Sequence, residues 1–165
     1  MAYLKVSSSN HSLTTFATGH VVQTVSTVYH DAGSSSTATT AGQRVASLDH
    51  KITPLFANSD ILLTASFGGM NAPSSGTTYG IYDFYKYASD VTETYNLSGE
   101  GYGITQHTGT SQWQHFYMAY LDTCSENSLS EKTYGISYWG NAASNTYCGW
   151  GGGSVITVTA KEIKR

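Results

Sequence analysis

The sequence predicts an all-β fold: an antiparallel β-sandwich of jelly-roll type with seven or eight strands. Three observations predict it. Strand-length segments rich in Val, Ile, Tyr and Thr recur along the whole chain, and Gly, Ser, Thr and Asn separate them. No segment keeps the i, i+3, i+4 spacing of a helix for more than one turn. Short antiparallel strands at irregular spacing suit Greek-key sandwiches, in which two sheets share one core. No fixed-period repeat indicates a propeller or β-helix, and no heptad run indicates a coiled-coil stalk.

Each element has its own justification. Residues 1–19 read as an N-terminal extended arm rich in Ser and Thr, and residues 20–165 as a single β-sandwich domain. Residues 20–29 place Val21, Val25 and Tyr29 among more polar neighbours, the period of a half-buried strand. Residues 31–42 are a low-complexity loop, and residues 43–52 resume with Val45, Leu48 and Ile52 before Thr53-Pro54 ends the strand. Residues 60–67 are apolar on both faces around Leu62 and Leu63, as a central strand covered on two sides should be.

Pro73 and its neighbouring glycines make residues 68–78 a loop. Residues 79–88 then put Ile81, Asp83, Tyr85 and Tyr87 on one face, with Tyr82 and Phe84 on the other. The pattern is weak over residues 89–112, where one short strand at 102–105 and a functional loop have room. Residues 113–122 are strongly periodic, residues 132–139 align Tyr134, Ile136 and Tyr138, and residues 154–163 align Ile156, Val158 and Ala160. The 13 tyrosines are mostly sheet residues, since Tyr joins strand propensity to a polar tip.

A length of 165 residues makes about one domain, and a domain of that size buries roughly 70% of its unfolded surface without help from metals or disulfides. Charged residues are 12% of the chain, about half the usual share. Hydroxyls, amides and rings must therefore meet solvent or partners. A net charge of −3 without charge runs gives no footprint for nucleic acid and no polybasic membrane patch. No stretch approaches the roughly 20 apolar residues of a membrane span, and residues 1–10 lack a signal-peptide core, so a soluble cytoplasmic product is expected. Cys124 and Cys148 sit near predicted strand ends and outside metal spacing. Two free thiols are the default in a reducing compartment, with a disulfide between strand ends as the alternative.

No catalytic constellation is present in the pattern. There is no G-x-S-x-G elbow, and His11, His20, His30, His50, His107 and His115 show neither H-x-H nor H-E-x-x-H spacing. Glu93, Glu100, Asp122 and Glu126 supply carboxylates that a glycosidase would want, and ordinary loop solvation explains them equally. Asn10-His11-Ser12 and Asn96-Leu97-Ser98 match the glycosylation pattern by chance. The expectation is a protein that is not an enzyme and has no cofactor or metal. The most unusual stretch runs over residues 139–153, where Trp139, Asn141, Asn145, Tyr147 and Trp150 form a candidate assembly or glycan-contact surface. Rings can stack on a pyranose and amides can donate and accept, but the same residues suit a subunit contact, which is preferred, or a cap over the core.

Several segments together carry a resemblance. Val21-Val22-Gln23-Thr24-Val25, then Ile52-Thr53-Pro54 followed by Ser59-Asp60-Ile61-Leu62-Leu63, and finally Ser154-Val155-Ile156-Thr157-Val158 resemble a β-rich domain of structural proteins of tailed, particularly marine, bacteriophages. The resemblance spans most of the chain and rests on short, degenerate motifs. It implies a fibre-like or capsid-surface virion role, often trimeric, and no active-site residues. With no shaft, the expected protein is a homotrimeric capsid decoration or head-spike protein on the virion surface, assembled in the host cytoplasm. Its implied partners are other copies of itself and the major capsid protein or tail proteins. The alternative is a tail-fibre-type adhesin that binds a host surface glycan.

Overall fold

The computed structural model describes residues 17–30, 33–36, 48–72, 77–87, 94–96, 102–108, 113–123, 128–140, 145–149 and 154–165. For residues 34–36, 70–72, 77–79, 87, 94–96, 102–108 and 145 the description is of the backbone alone. These residues form an antiparallel β-sandwich. Its strands are β1 (Val21–His30), β2 (Ser34–Ser36), β3 (His50–Ile52), β4 (Asp60–Ala72), β5 (Thr77–Tyr87), β6 (Thr94–Asn96), β7 (Tyr102–Thr108), β8 (Gln114–Asp122), β9 (Lys132–Gly140), β10 (Asn145–Cys148) and β11 (Val155–Ile163).

One sheet has six strands in the order β1-β11-β4-β10-β2 with β8 also on β4, and the other has five in the order β3-β9-β5-β6 with β7 also on β5. The registers simplify this. β8 pairs with β4 over Ile61–Gly69, so β11, opposite Asp60–Ser66, and β10, opposite Gly69–Ala72, must share the other edge of β4. β10 and β11 are therefore one interrupted line, as are β1 and β2 beside them. By the same reasoning β9 takes one edge of β5, and β6 and β7 lie in line along the other. Eight lines result, ordered 1-8-3-6 in one sheet and 2-7-4-5 in the other. That is the jelly-roll arrangement.

The sequence expectation of seven or eight strands holds for these lines, with several bounds corrected. Residues 68–72 and 77–78 continue β4 and β5 rather than forming a loop, because β8 and β10 hold Gly69 from both sides. Ser34–Ser36 pairs with β10 inside the predicted 31–42 loop, and Asn145–Cys148 is a strand inside the unusual 139–153 stretch. Only His50–Ile52 of the predicted 43–52 strand is a strand, and residues 43–47 lie outside the described residues. β6, and β7 out to Thr108, were not legible in the weak 89–112 pattern. Residues 1–16 of the predicted arm also lie outside the description, and of the rest, Gly19 donates its N–H to the Lys164 carbonyl at 2.6 Å.

Between the sheets, β4 turns Ile61, Leu63, Ala65 and Phe67 inward, β11 turns Ile156, Val158 and Ala160, and β8 turns Met118. Facing them are Tyr82 and Phe84 of β5 and Tyr134, Ile136 and Tyr138 of β9. Each of the larger aliphatic, Met and Phe side chains stabilises the fold by roughly 1.5–3 kcal/mol on burial. β9 is buried continuously from Tyr134 to Gly140, so its second face is covered as well.

Candidate functional site

The two ends of the sandwich differ in chemistry. At the end where β4 begins and β11 finishes, one row across the first sheet reads Gln23, Glu162, Ile61, Asp122. Alternation points Glu162 and Asp122 into the sandwich, so both carboxylates need partners. Glu162, fully buried, accepts from the backbone N–H of Leu55 and of Phe56 at 2.9 Å each, from the Ser59 hydroxyl at 2.7 Å and from the Gln23 amide at 2.8 Å. These bonds fasten the loop after Pro54 to β1 and β11. Asp122 takes the Lys86 ammonium at 3.1 Å and the Tyr134 hydroxyl at 2.6 Å, joining β8 of one sheet to β5 and β9 of the other.

His50 joins the sheets at their β1 and β3 edges. Its Nε2–H donates to the Val25 carbonyl at 3.1 Å, and its Nδ1 accepts from the Thr27 hydroxyl at 3.2 Å. Both ring nitrogens are thus satisfied in the neutral imidazole, and burial pushes its pKa below the ordinary value. Cys148 is a free thiol buried in the core, and burial pushes its pKa far up, which makes it inert. Cys124 lies outside the described residues. The buried Glu162, Asp122, Lys86 and His50 all hold segments together. Among the described residues no three His, Cys, Asp or Glu converge to hold a metal ion, and no helix is long and apolar enough to cross a membrane.

The predicted contact surface is only partly reachable. Trp139 is buried, because β9 is covered on both faces. Asn141 and Trp150 lie outside the described residues, and Asn145 is described only as the first backbone position of β10. Tyr147 is half-buried, accepts a bond from the Tyr82 hydroxyl through its carbonyl at 2.6 Å, and packs its ring 5.9 Å from that of Trp113. The glycine-rich run that carries Trp150 interrupts the β10–β11 line. β10 ends at Cys148 and β11 begins at Val155, and along β4 their pairing passes from Gly69 to Ser66.

The structure offers instead the outer face of the six-stranded sheet. Trp113, immediately before β8, shares that face with His115 and Tyr117 of β8, and Tyr117 is 70% exposed and Trp113 47%. Trp113 lies over Gly68, where a Cβ would be 3.8 Å from the indole, in ordinary contact. His115 Nε2 and the Ser66 hydroxyl share a 2.8 Å hydrogen bond. The row beside it runs Tyr117, Ser66, Thr157, Val28 from one edge to the other, and the next runs Ala119, Thr64, Thr159, Ser26, with Ser26 and Thr159 hydroxyls 2.9 Å apart. The alternation of Trp113, His115 and Tyr117 was the available signal. It located a strand without saying which side of it faces out.

No protein-family model matches the chain, and no curated protein does. Among solved structures, those of infectious bursal disease virus Gx and Gt strains align at 15% identity over 87% of this chain, with TM-scores of 0.28 and 0.27. The VP2 protein of a mutant of that virus, in T=1 particles, aligns at 15% identity over 86% with a TM-score of 0.28. The chain spans 43% of the first two and 40% of the third. A likeness this distant leaves the function to be argued from the chain itself.

Proposed function

We propose that this chain is a non-enzymatic structural protein of a tailed-phage virion: a homotrimeric capsid decoration or head-spike protein exposed on the surface. The observation that carries the reading is the jelly roll assembled from the very segments that resemble the phage domain, Val21–Val25, Ile52–Pro54, Ser59–Leu63 and Ser154–Val158. Jelly rolls serve both virus shells and lectins, so the fold alone supports this by analogy. A second support is the use of the polar interior. Glu162, Asp122, Lys86 and His50 use their bonds to tie strands and loops together, as the rigid domain of a shell component requires. Three weak contacts per trimer would hold it to a lattice, because the second and third form at high effective concentration.

The test is the mass of the purified chain in solution, followed by mixing with capsids stripped of it. A trimer that saturates capsids at a fixed ratio supports the reading. A monomer that ignores capsids overturns it.

A further inference from the structure

We infer that the outer face of the six-stranded sheet binds a neutral polysaccharide, through the Trp113, Tyr117 and Tyr147 rings with Ser66, His115 and Thr157 between and beside them. The inference goes beyond the virion role and does not depend on it. Trp113, at the entry to β8, and Tyr117 within it are four residues apart, about 13 Å at the strand rise. That spacing suits a short oligosaccharide stretch rather than a single sugar. Tyr117 is 70% exposed and packs too little to serve the core, and Trp113, 47% exposed, is held on the sheet surface by Gly68 beneath and Tyr147 beside it.

The charge distribution selects the ligand class. Among the described residues, the charges that reach solvent lie towards the opposite end, in the Lys51–Glu131 and Arg165–Asp60 pairs, at Lys164, and at Lys161, which is on the same outer face but opposite Leu62, four residues along β4 from Ser66. Around Trp113 and Tyr117 the described groups are rings, hydroxyls and an imidazole. Among the described residues, the rows that hold Trp113, His115 and Tyr117 carry no lysine or arginine to hold an anionic glycan and no carboxylate to repel one. Such a surface suits the apolar face of a pyranose on a ring and sugar hydroxyls bonded to Ser and Thr. The Ser66–His115 bond fixes both groups before any ligand arrives, which lowers the ordering cost of binding.

The whole chain would be run through native gels containing dextran, mixed-linkage β-glucan or galactomannan, with alginate as an anionic control. Retardation by at least one neutral polymer is expected. Trp113→Ala and Tyr117→Ala should each weaken it by about tenfold or more, and Lys51→Ala at the far end should leave it unchanged. Tyr117→Ala removes an exposed ring, so its thermal midpoint should stay that of the wild type. Binding to alginate alone, or to no polymer, overturns the inference, as does undiminished binding by both aromatic variants. So does self-association lost in Tyr117→Ala without polymer binding, which would make the face a subunit contact. Capsid rebinding, measured separately, fails or succeeds independently.

Discussion

At the scale of single residues, the buried polar groups dominate the predictions. Glu162 receives two backbone N–H groups, a hydroxyl and an amide, so Glu162→Ala would strand four donors in the interior. The expected loss is about 3 kcal/mol or more, read as a lower urea midpoint; a loss under about 1 kcal/mol would mean that water replaces the carboxylate. His50 gives a pH dependence. Its folded pKa lies below the unfolded value of about 6.5, so as pH falls beneath that value the unfolded chain takes up a proton that the folded chain resists. Its contribution is present above pH about 6.5 and fades below it. Denaturation at pH 7.5 and 5.5 should show a smaller drop for His50→Gln than for the wild type.

At the scale of elements, β4 is the strand on which the first sheet depends, flanked along most of its length by β8 on one side and β11 then β10 on the other. Gly69 faces Tyr82 of the second sheet. A Cβ there would stand 2.5 Å from the Tyr82 hydroxyl and 2.9 Å from the Phe116 ring. Tyr82 cannot retreat freely, because its hydroxyl donates to Tyr147 and its ring packs 5.1 Å from Phe67. Gly69→Ala is expected to cost about 1–3 kcal/mol, lowering Tm by about 5 °C. Adding Tyr82→Phe should restore part of it. The same crowding explains why a glycine pair that signals a loop in sequence stays in the ladder here.

At the scale of the whole molecule, the two sheets are joined by an apolar core and by the Lys86–Asp122–Tyr134 group, whose ion pair is nearly buried, with side-chain exposures of 6% and 12%. Such a pair adds little over an apolar substitute, yet removing one half leaves an uncompensated charge. Lys86→Met alone should lose about 3–5 kcal/mol. Lys86→Met with Asp122→Asn should recover more than half, since Asn still accepts from Tyr134. Calorimetry of the two variants checks this, and equal losses in both would show that the ion pair itself holds the sheets together.

By itself the sequence determined the fold class and the interior of the long strands. Alternation marked Ile156, Val158 and Ala160, and Tyr134, Ile136 and Tyr138, because a pleated strand sends every second side chain to one face. It could not determine which face meets the other sheet. Trp113, His115 and Tyr117 alternate just as Tyr134, Ile136 and Tyr138 do, and only pairing of β8 with β4 turns the first set outward. Trp139, at the end of the 132–139 segment, was a candidate for a contact surface or a core cap and is buried, because β9 is covered on both faces, a fact of layers rather than of local pattern. Glu162 and Asp122 gave no sign of their burial, since the donors that make it tolerable come from residues up to 139 positions away. Strand content is a property of neighbours in sequence; which groups face water is decided by neighbours in space.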